Sequence, residues 1–464
     1  MRDSGRRVGH ERVDPARRAA YEAIAAVHRD DAYANLVLPH ILRDFRLTGR
    51  DAAFATELTY GTLRAEGTLD AIIASAAGRD IERIDPPTRD CARLGTYQLL
   101  YTRVPVHAAV SESVNLTRSV SGEGAATFAN AILRRIAEQD LDAWIAVVAP
   151  DRETDRIAHL AIARSHPQWI VRAFGEALGG DMDEVEDLLI EDNERPIVHL
   201  AARPGLIDPL DLADEAGGAP GAFSPYAVYL PGGAPGDIEA IVRRQAHVQD
   251  EGSQLVALAL ADAELAGRDE NWLDLCAGPG GKSGLLGALA AQRGAHVTAV
   301  EIAEHRAEMI ARTTRDLPVT VITADGRDVG KVDGLPEGRF DRVLVDAPCS
   351  GLGALRRRPE ARWRRTPGDL PTLARLQREL VAAAIRAVRP GGLVAYVTCS
   401  PHVVETKVTI GESIRHAPHP VEQIDARTAL SGDLPSLGAG PSVQLWPHRH
   451  GTDAMFLALL RRAA

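Results

Sequence analysis

The sequence predicts a multidomain protein: an all-α N-terminal part, a small α+β connecting part and a C-terminal α/β part built on a mostly parallel sheet. Three observations predict it. The chain has 464 residues, more than one hydrophobic core usually organises. Apolar residues recur at helical spacing up to about Gln139. Beyond Gln249, short apolar runs alternate with helical patterns, the signature of βα units. A content of 45% hydrophobic and 25% charged residues excludes a disordered, fibrous or low-complexity chain.

The first expected domain spans residues 14–140. Asp14 followed by Pro15 reads as an N-cap with proline in the first turn. Ala20, Ile24 and Val27 share one helical face, and so do Phe128, Ala131, Ile132 and Ile136. Residues 155–245 form the expected connecting domain, helical around His166, Pro167 and Trp169 and rich in glycine and proline between Arg203 and Asp237. Residues 246–464 form the third. Its expected strands are Trp272 to Leu275, His296 to Val300, Val319 to Ile322, Arg342 to Val345 and Leu393 to Thr398. Val443 to Leu445 and Met455 to Leu460 suit an antiparallel pair, with Ser431 to Ser442 as a loop. No internal repeat is visible.

No apolar run reaches membrane-spanning length, and the charged N-terminus MRDSGRRVGHERVDPARR has no hydrophobic segment behind it. A cytoplasmic monomer is expected. The net charge of −11 argues against binding a polyanion through bulk electrostatics, so any nucleic-acid contact needs a local patch. Cys91, Cys276, Cys349 and Cys399 form no C-x-x-C pair and no zinc-ligand cluster, which points to free thiols and no metal site.

Where the first strand of the third domain turns into a helix, the chain reads Cys276-Ala277-Gly278-Pro279-Gly280-Gly281-Lys282-Ser283. Glycines there let backbone approach a ligand closely, and the Walker spacing is absent. Glu301 ends the next strand, twenty positions after Gly281, where a carboxylate can accept hydrogen bonds from ribose hydroxyls. Asp325 follows the third strand and could accept from an adenine amino group. Three acceptor-bearing loops on successive strand ends favour a nucleoside ligand. With no second pyrophosphate-type glycine loop, S-adenosylmethionine is at least as good a candidate as a dinucleotide. Asp346-Ala347-Pro348-Cys349-Ser350-Gly351 follows the fourth strand and Thr398-Cys399-Ser400 the fifth, so both thiols project from the same sheet edge.

These segments, with Gln249-Asp250-Glu251-Gly252-Ser253-Gln254 and the late His450-Gly451-Thr452-Asp453-Ala454-Met455-Phe456, resemble the ordered motifs of the NOL1/NOP2/Sun RNA 5-methylcytosine methyltransferases. The helical N-terminus, ending in ATFANAILR from Ala126, is similar to the NusB-like domain that the bacterial Sun branch carries before its Rossmann-like methyltransferase domain. The resemblance implies methyl transfer from S-adenosylmethionine to C5 of a cytidine in RNA, 16S rRNA for that branch. It assigns attack on C6 to Cys399, product release to Cys349, and a supporting acidic role near the methyl donor to Asp346. Such covalent catalysis is needed because cytosine C5 is a poor nucleophile until a thiolate adds to C6. The resemblance also implies a cofactor site at residues 276–282 with Glu301, Asp325 and Asp346.

Directly after the fourth-strand motif the chain reads LRRRPEARWRR. Arg356, Arg357, Arg358 and Arg362, with Trp363 among them, offer phosphate grips and a stacking face for RNA. The target base must leave any stack, which favours single-stranded or loop RNA. Two alternatives share much of this pattern: an RNA-binding ribosome-assembly factor with a vestigial methyltransferase fold, and a C5 methyltransferase acting on tRNA.

Overall fold

Asp14 caps the first helix as expected, its carboxylate accepting the Arg17 N–H at 2.9 Å with Pro15 in the first turn. The computed structural model describes residues 13–430 and 432–464. The charged stretch 1–12 and Ser431, the first residue of the expected late loop, lie outside the described residues. The chain divides into two compact units, one running to Arg172 and including Leu355–Arg364, the other made of Ala173–Ala354 and Arg365–Ala464.

The first unit is helical: α1 (Pro15–Asp30), α2 (Ala34–Asp44), α3 (Gly49–Ala77), α4 (Pro86–Tyr101), α5 (Val106–Ser121), α6 (Glu123–Ile136), α7 (Leu141–Val148) and α8 (Arg156–Ala163). Ile24, Leu69, Ile73, Leu94 and Leu133 meet in its core. Ala20, Ile24 and Val27 are buried on α1 as their spacing predicts. On α6 the buried face is Ala126, Ala129, Leu133 and Ile136 with Ile132, while Ala131 is exposed and Phe128 half-buried. The stripe is thus rotated by about one position from the expected one, because Ala126 and Ala129, not Ala131, continue the i, i+3, i+7 row through Leu133 and Ile136.

The second unit holds two sheets. β1 (Val198–Ala202), β2 (Ala219–Pro220), β3 (Ala227–Leu230) and β4 (Ala246–Val248) form an antiparallel sheet in the order β2-β3-β1-β4. The segment expected as one connecting domain therefore contributes to both units: α8 clusters with the first, the small sheet with the second. Glu251 explains the second grouping. Its buried carboxylate accepts the Phe223 and Ser224 N–H groups and the Tyr229 hydroxyl, tying this sheet to the helix Glu251–Asp262.

β5 (Asn271–Leu275), β6 (His296–Glu301), β7 (Val319–Thr323), β8 (Phe340–Asp346), β9 (Val388–Thr398), β10 (Val421–Ile424), β11 (Val443–Gln444) and β12 (Phe456–Arg462) form the large sheet. Its order is β10-β12-β9-β8-β5-β6-β7, with β11 on β12. β5 to β9 are parallel, and β10, β11 and β12 add antiparallel pairs. Along β9, Leu393, Ala395 and Val397 enter one core while Val394 and Tyr396 enter another. Both faces are covered, which is why the strand reads as a continuous apolar run without alternation. The strand order reverses at β5, flanked by β6 and β8, so the crevice beyond its C-terminal end is where a ligand meets such a sheet.

Candidate active site

At the end of β5 the chain turns sharply onto β6. The Cys276 and Ala277 N–H groups both donate to the Val300 carbonyl, at 3.0 and 2.9 Å, with Cys276 in the left-handed region at φ 87°. Glu301, 1% exposed, completes the turn: its carboxylate accepts the Gly278 N–H at 3.1 Å, the Ala303 N–H at 2.9 Å and the Arg306 guanidinium. A Cβ on Gly278 would lie 2.3 Å from Glu301 Oε2, so only glycine allows this approach. Pro279 is exposed, Gly280 takes φ 111°, and Gly281 begins the helix Gly281–Arg293. Beneath the turn lies Asp274. Burial, opposed by a 2.6 Å hydrogen bond from Ser283, pushes its carboxyl up to about 7, and its Oδ1 has no hydrogen-bond partner.

The fit to a nucleoside sulfonium is supported by this cradle. A side chain on Gly278 would collide with Glu301 and Arg306, so glycine lets the turn close on Glu301, and the Glu301 and Asp325 carboxylates stand at the ends of β6 and β7 on the same sheet edge. Asp325 follows β7 and is held by Arg327, whose hydrogen bonds lower its pKa. Glu301 holds the turn together, a role its spacing did not reveal.

The two motif cysteines meet. β8 and β9 are in parallel register to Asp346 opposite Val397, so the loops that follow leave the sheet side by side. Gly353 N–H donates to the Cys399 carbonyl at 2.9 Å, and the Ala347 N–H to the Val397 carbonyl at 2.9 Å. The sulfurs of Cys349 and Cys399 are 3.4 Å apart. The contact with Cys399, burial and the nearby Glu405 charge push the Cys349 thiol well above its ordinary pKa. Lys282 Nζ donates to Asp346 Oδ2 at 2.8 Å. Burial alone would lower the Lys282 pKa, but Asp346, and beyond it Cys399, raise it, so the ammonium stays charged. Cys276, within the turn, is pushed up by burial and the surrounding carboxylates, which leaves it an inert thiol.

The arginine run needs a correction. Arg356 and Arg362 are buried, at 3% and 0% exposure. Arg362 donates to the Arg64 and Ser165 carbonyls at 3.0 and 3.1 Å, within the helical unit. Arg362, committed to buried carbonyls, cannot also grip phosphate, and Arg356 is buried away from it, so the RNA role expected for these two is withdrawn. Arg357 is half-buried; Arg358 is exposed and stacks over the Tyr33 ring. Trp363 is 39% exposed, with one edge of its indole against Gly67. The charge run alone carried no sign of this.

Sequence reasoning also missed Glu405, which is buried between the two cysteine loops. The late motif has a structural part too: the Asp453 N–H donates to Asp250, the cap of the helix Glu251–Asp262. Among the described residues no helix is long and apolar enough to cross a membrane.

Comparison with known proteins places this geometry. The family model described as 16S rRNA methyltransferase RsmB/F matches residues 262–461, and the NusB family model matches residues 14–138. A protein of Mycobacterium tuberculosis named as a methyltransferase is 55% identical over 450 residues, covering 97% of each chain. The ribosomal RNA small subunit methyltransferase B of Escherichia coli is 31% identical over 392 residues, 83% of this chain and 86% of that one. The crystal structure of PH0851 superposes with a TM-score of 0.80 at 22% identity over 97% of this chain and 99% of that one, which shows a shared fold. The crystal structure of NSun6 from Pyrococcus horikoshii with SFG gives a TM-score of 0.55 at 18% identity, over 64% of this chain and 98% of that one. With a NusB domain before a methyltransferase sheet and relatives matched over most of their length, the chain belongs to the RsmB/F family of rRNA methyltransferases.

Proposed function

We propose that this protein transfers a methyl group from S-adenosylmethionine to C5 of a cytidine in 16S rRNA, through a covalent bond between Cys399 and C6 that is released with the help of Cys349. The observation that carries the reading is the pair of sulfurs 3.4 Å apart at adjacent strand ends, beside the Lys282–Asp346 ion pair. A lone thiol would serve packing; two thiols brought together by strand register serve addition and elimination on one ring.

The Cys399 thiolate adds to C6, and the electron pair moves onto C5. S-adenosylmethionine, held by the turn 276–282 with Glu301, Asp325 and Asp346, supplies the electrophilic methyl group. Asp346 lies where it can orient the polar edge of the base and keep Lys282 in place. After transfer C5 bears one hydrogen too many. Its loss as a proton to water re-forms the C5–C6 double bond as the C6–sulfur bond breaks and Cys399 leaves as thiolate. Cys349 is the neighbouring sulfur at that step. RNA presents the target as an unstacked base, and on the helical unit the exposed Arg358 and Trp363 offer RNA contacts.

The deciding experiment uses unmodified 16S rRNA and labelled methyl donor. Cys349→Ala is expected to accumulate a protein–RNA adduct that survives denaturing electrophoresis, while Cys399→Ala forms neither adduct nor product. An adduct on the Cys399→Ala protein would reverse the assignment of the two sulfurs. Transfer that leaves every cytosine convertible by bisulfite would overturn the C5 chemistry, and full RNA binding without transfer would favour the assembly factor.

A further inference from the structure

A buried carboxylate sits behind the two sulfurs, on the one-turn π-helical segment Val404–Val408. Glu405 is completely buried. One of its oxygens accepts the Ser350 N–H at 2.8 Å and the Gln377 side-chain amide at 3.0 Å. The other accepts the Ser350 hydroxyl at 2.5 Å and the Ser400 hydroxyl at 2.7 Å. Those hydroxyls are themselves 3.0 Å apart. Ser350 follows Cys349 and Ser400 follows Cys399, so a single side chain grips the residue next to each sulfur. Gln377 extends the grip, donating also to the Pro348 carbonyl at 2.9 Å.

Burying a carboxylate is costly unless its lone pairs are filled, and four donors fill them here. A network this saturated holds its members in one arrangement. We infer that Glu405 is a positioning residue for methyl transfer, fixing the spacing of the Cys349 and Cys399 sulfurs through Ser350 and Ser400. The inference rests on the two-sulfur reading above and adds to it the group that keeps the sulfurs together.

The test compares Glu405→Ala, Glu405→Gln and the double variant Ser350→Ala/Ser400→Ala in the full chain. Two readouts are taken. The first is steady-state methylation of 16S rRNA, where a displaced nucleophile lowers kcat by roughly 100-fold with KM for RNA unchanged. The glutamine variant, which keeps an acceptor oxygen, recovers part of the loss. The second needs no RNA. Phenylarsine oxide bridges two neighbouring thiols as an arsenic dithiolate and releases one water, and mass spectrometry counts the adduct. The unaltered protein is expected to be captured, Cys349→Ala not, and the Glu405→Ala and double-serine variants weakly, each with a cooperative thermal transition retained. If Glu405→Ala does not fold, the double-serine variant decides. Capture and kcat within twofold of the unaltered protein in a folded variant would overturn the inference. Glu405-dependent capture in a chain that methylates no cytosine would sink the methylation reading and leave the positioning role. C5 methylation with Glu405-independent capture would sink the positioning role alone.

Discussion

Gly278 shows how much chemistry one missing side chain can hold. A methyl group there would lie 2.3 Å from a Glu301 oxygen and 2.6 Å from Arg306 Nε, and Glu301 is already committed to three donors, so it cannot swing aside cheaply. Gly278→Ala is therefore expected to weaken S-adenosylmethionine binding about 10-fold, which is about 1.4 kcal/mol, in a calorimetric titration. Gly124→Ala, where nothing lies within 4 Å of the added carbon, is the neutral control. At this scale the sequence was informative wherever a residue type is chemically scarce. Paired thiols and a glycine turn stand out in any chain. Glu405 did not, because a glutamate in Val-Val-Glu-Thr-Lys looks like any helical surface residue, and only the fold shows that it is buried among four donors.

Elements are joined by charge as well as by apolar packing, and the helical unit provides the case. His28 on α1 meets Asp90 on α4 at 2.8 Å and Glu66 on α3 at 3.3 Å, and Arg93 on α4 binds Asp70 on α3 at 2.7 Å. Burial would lower the His28 pKa, but its hydrogen bonds to Asp90 and Glu66 raise it from 6.5 to about 9. A raised folded-state value means that the protonated ring stabilises the fold fully below about pH 6.5 and progressively less as pH rises through about 9. The melting temperature of the helical unit is thus expected to fall between pH 6.5 and 9.5, followed by circular dichroism. His28→Gln should remove most of that dependence, and an unchanged slope in this variant would contradict the assignment. Strands β5, β6, β8 and β9 were legible from their apolar runs, since a sheet covered on both faces leaves little room for polar residues, and the edge strand β7 from its β-branched run Val319-Thr320-Val321-Ile322. β10 was not, because Val421-Glu422-Gln423-Ile424 is short and half polar, and it becomes a strand only by pairing with β12. Ala131 misled for a related reason: alanine is apolar enough to join a stripe on paper and small enough to be left outside it.

At the scale of the whole molecule, the order of parts was legible and their borders were not. Composition and motif order located a helical part before an α/β part, but nothing in LRRRPEARWRR announced that Leu355–Arg364 clusters with the helical unit while the cysteine loop before it belongs to the other. Long-range partners such as Arg362 with Arg64 and Ser165 lie 298 and 197 positions apart, beyond the reach of any local pattern. Arg362→Ala would remove a fully buried side chain and its hydrogen bonds to the Arg64 and Ser165 carbonyls, and is expected to destabilise the helical unit by about 2–4 kcal/mol, read in a urea titration. Its effect on the salt dependence of RNA affinity should be nil, whereas Arg358→Ala should flatten that slope by about one counterion. The embedded ten-residue excursion also bears on gene architecture. A stand-alone polypeptide ending at Arg172 would lack the tryptophan, arginine and glutamate plug that its own fold accommodates, so fission or shuffling at that obvious joint would yield an N-terminal fragment with an open socket, stable only if the missing decapeptide were supplied in trans.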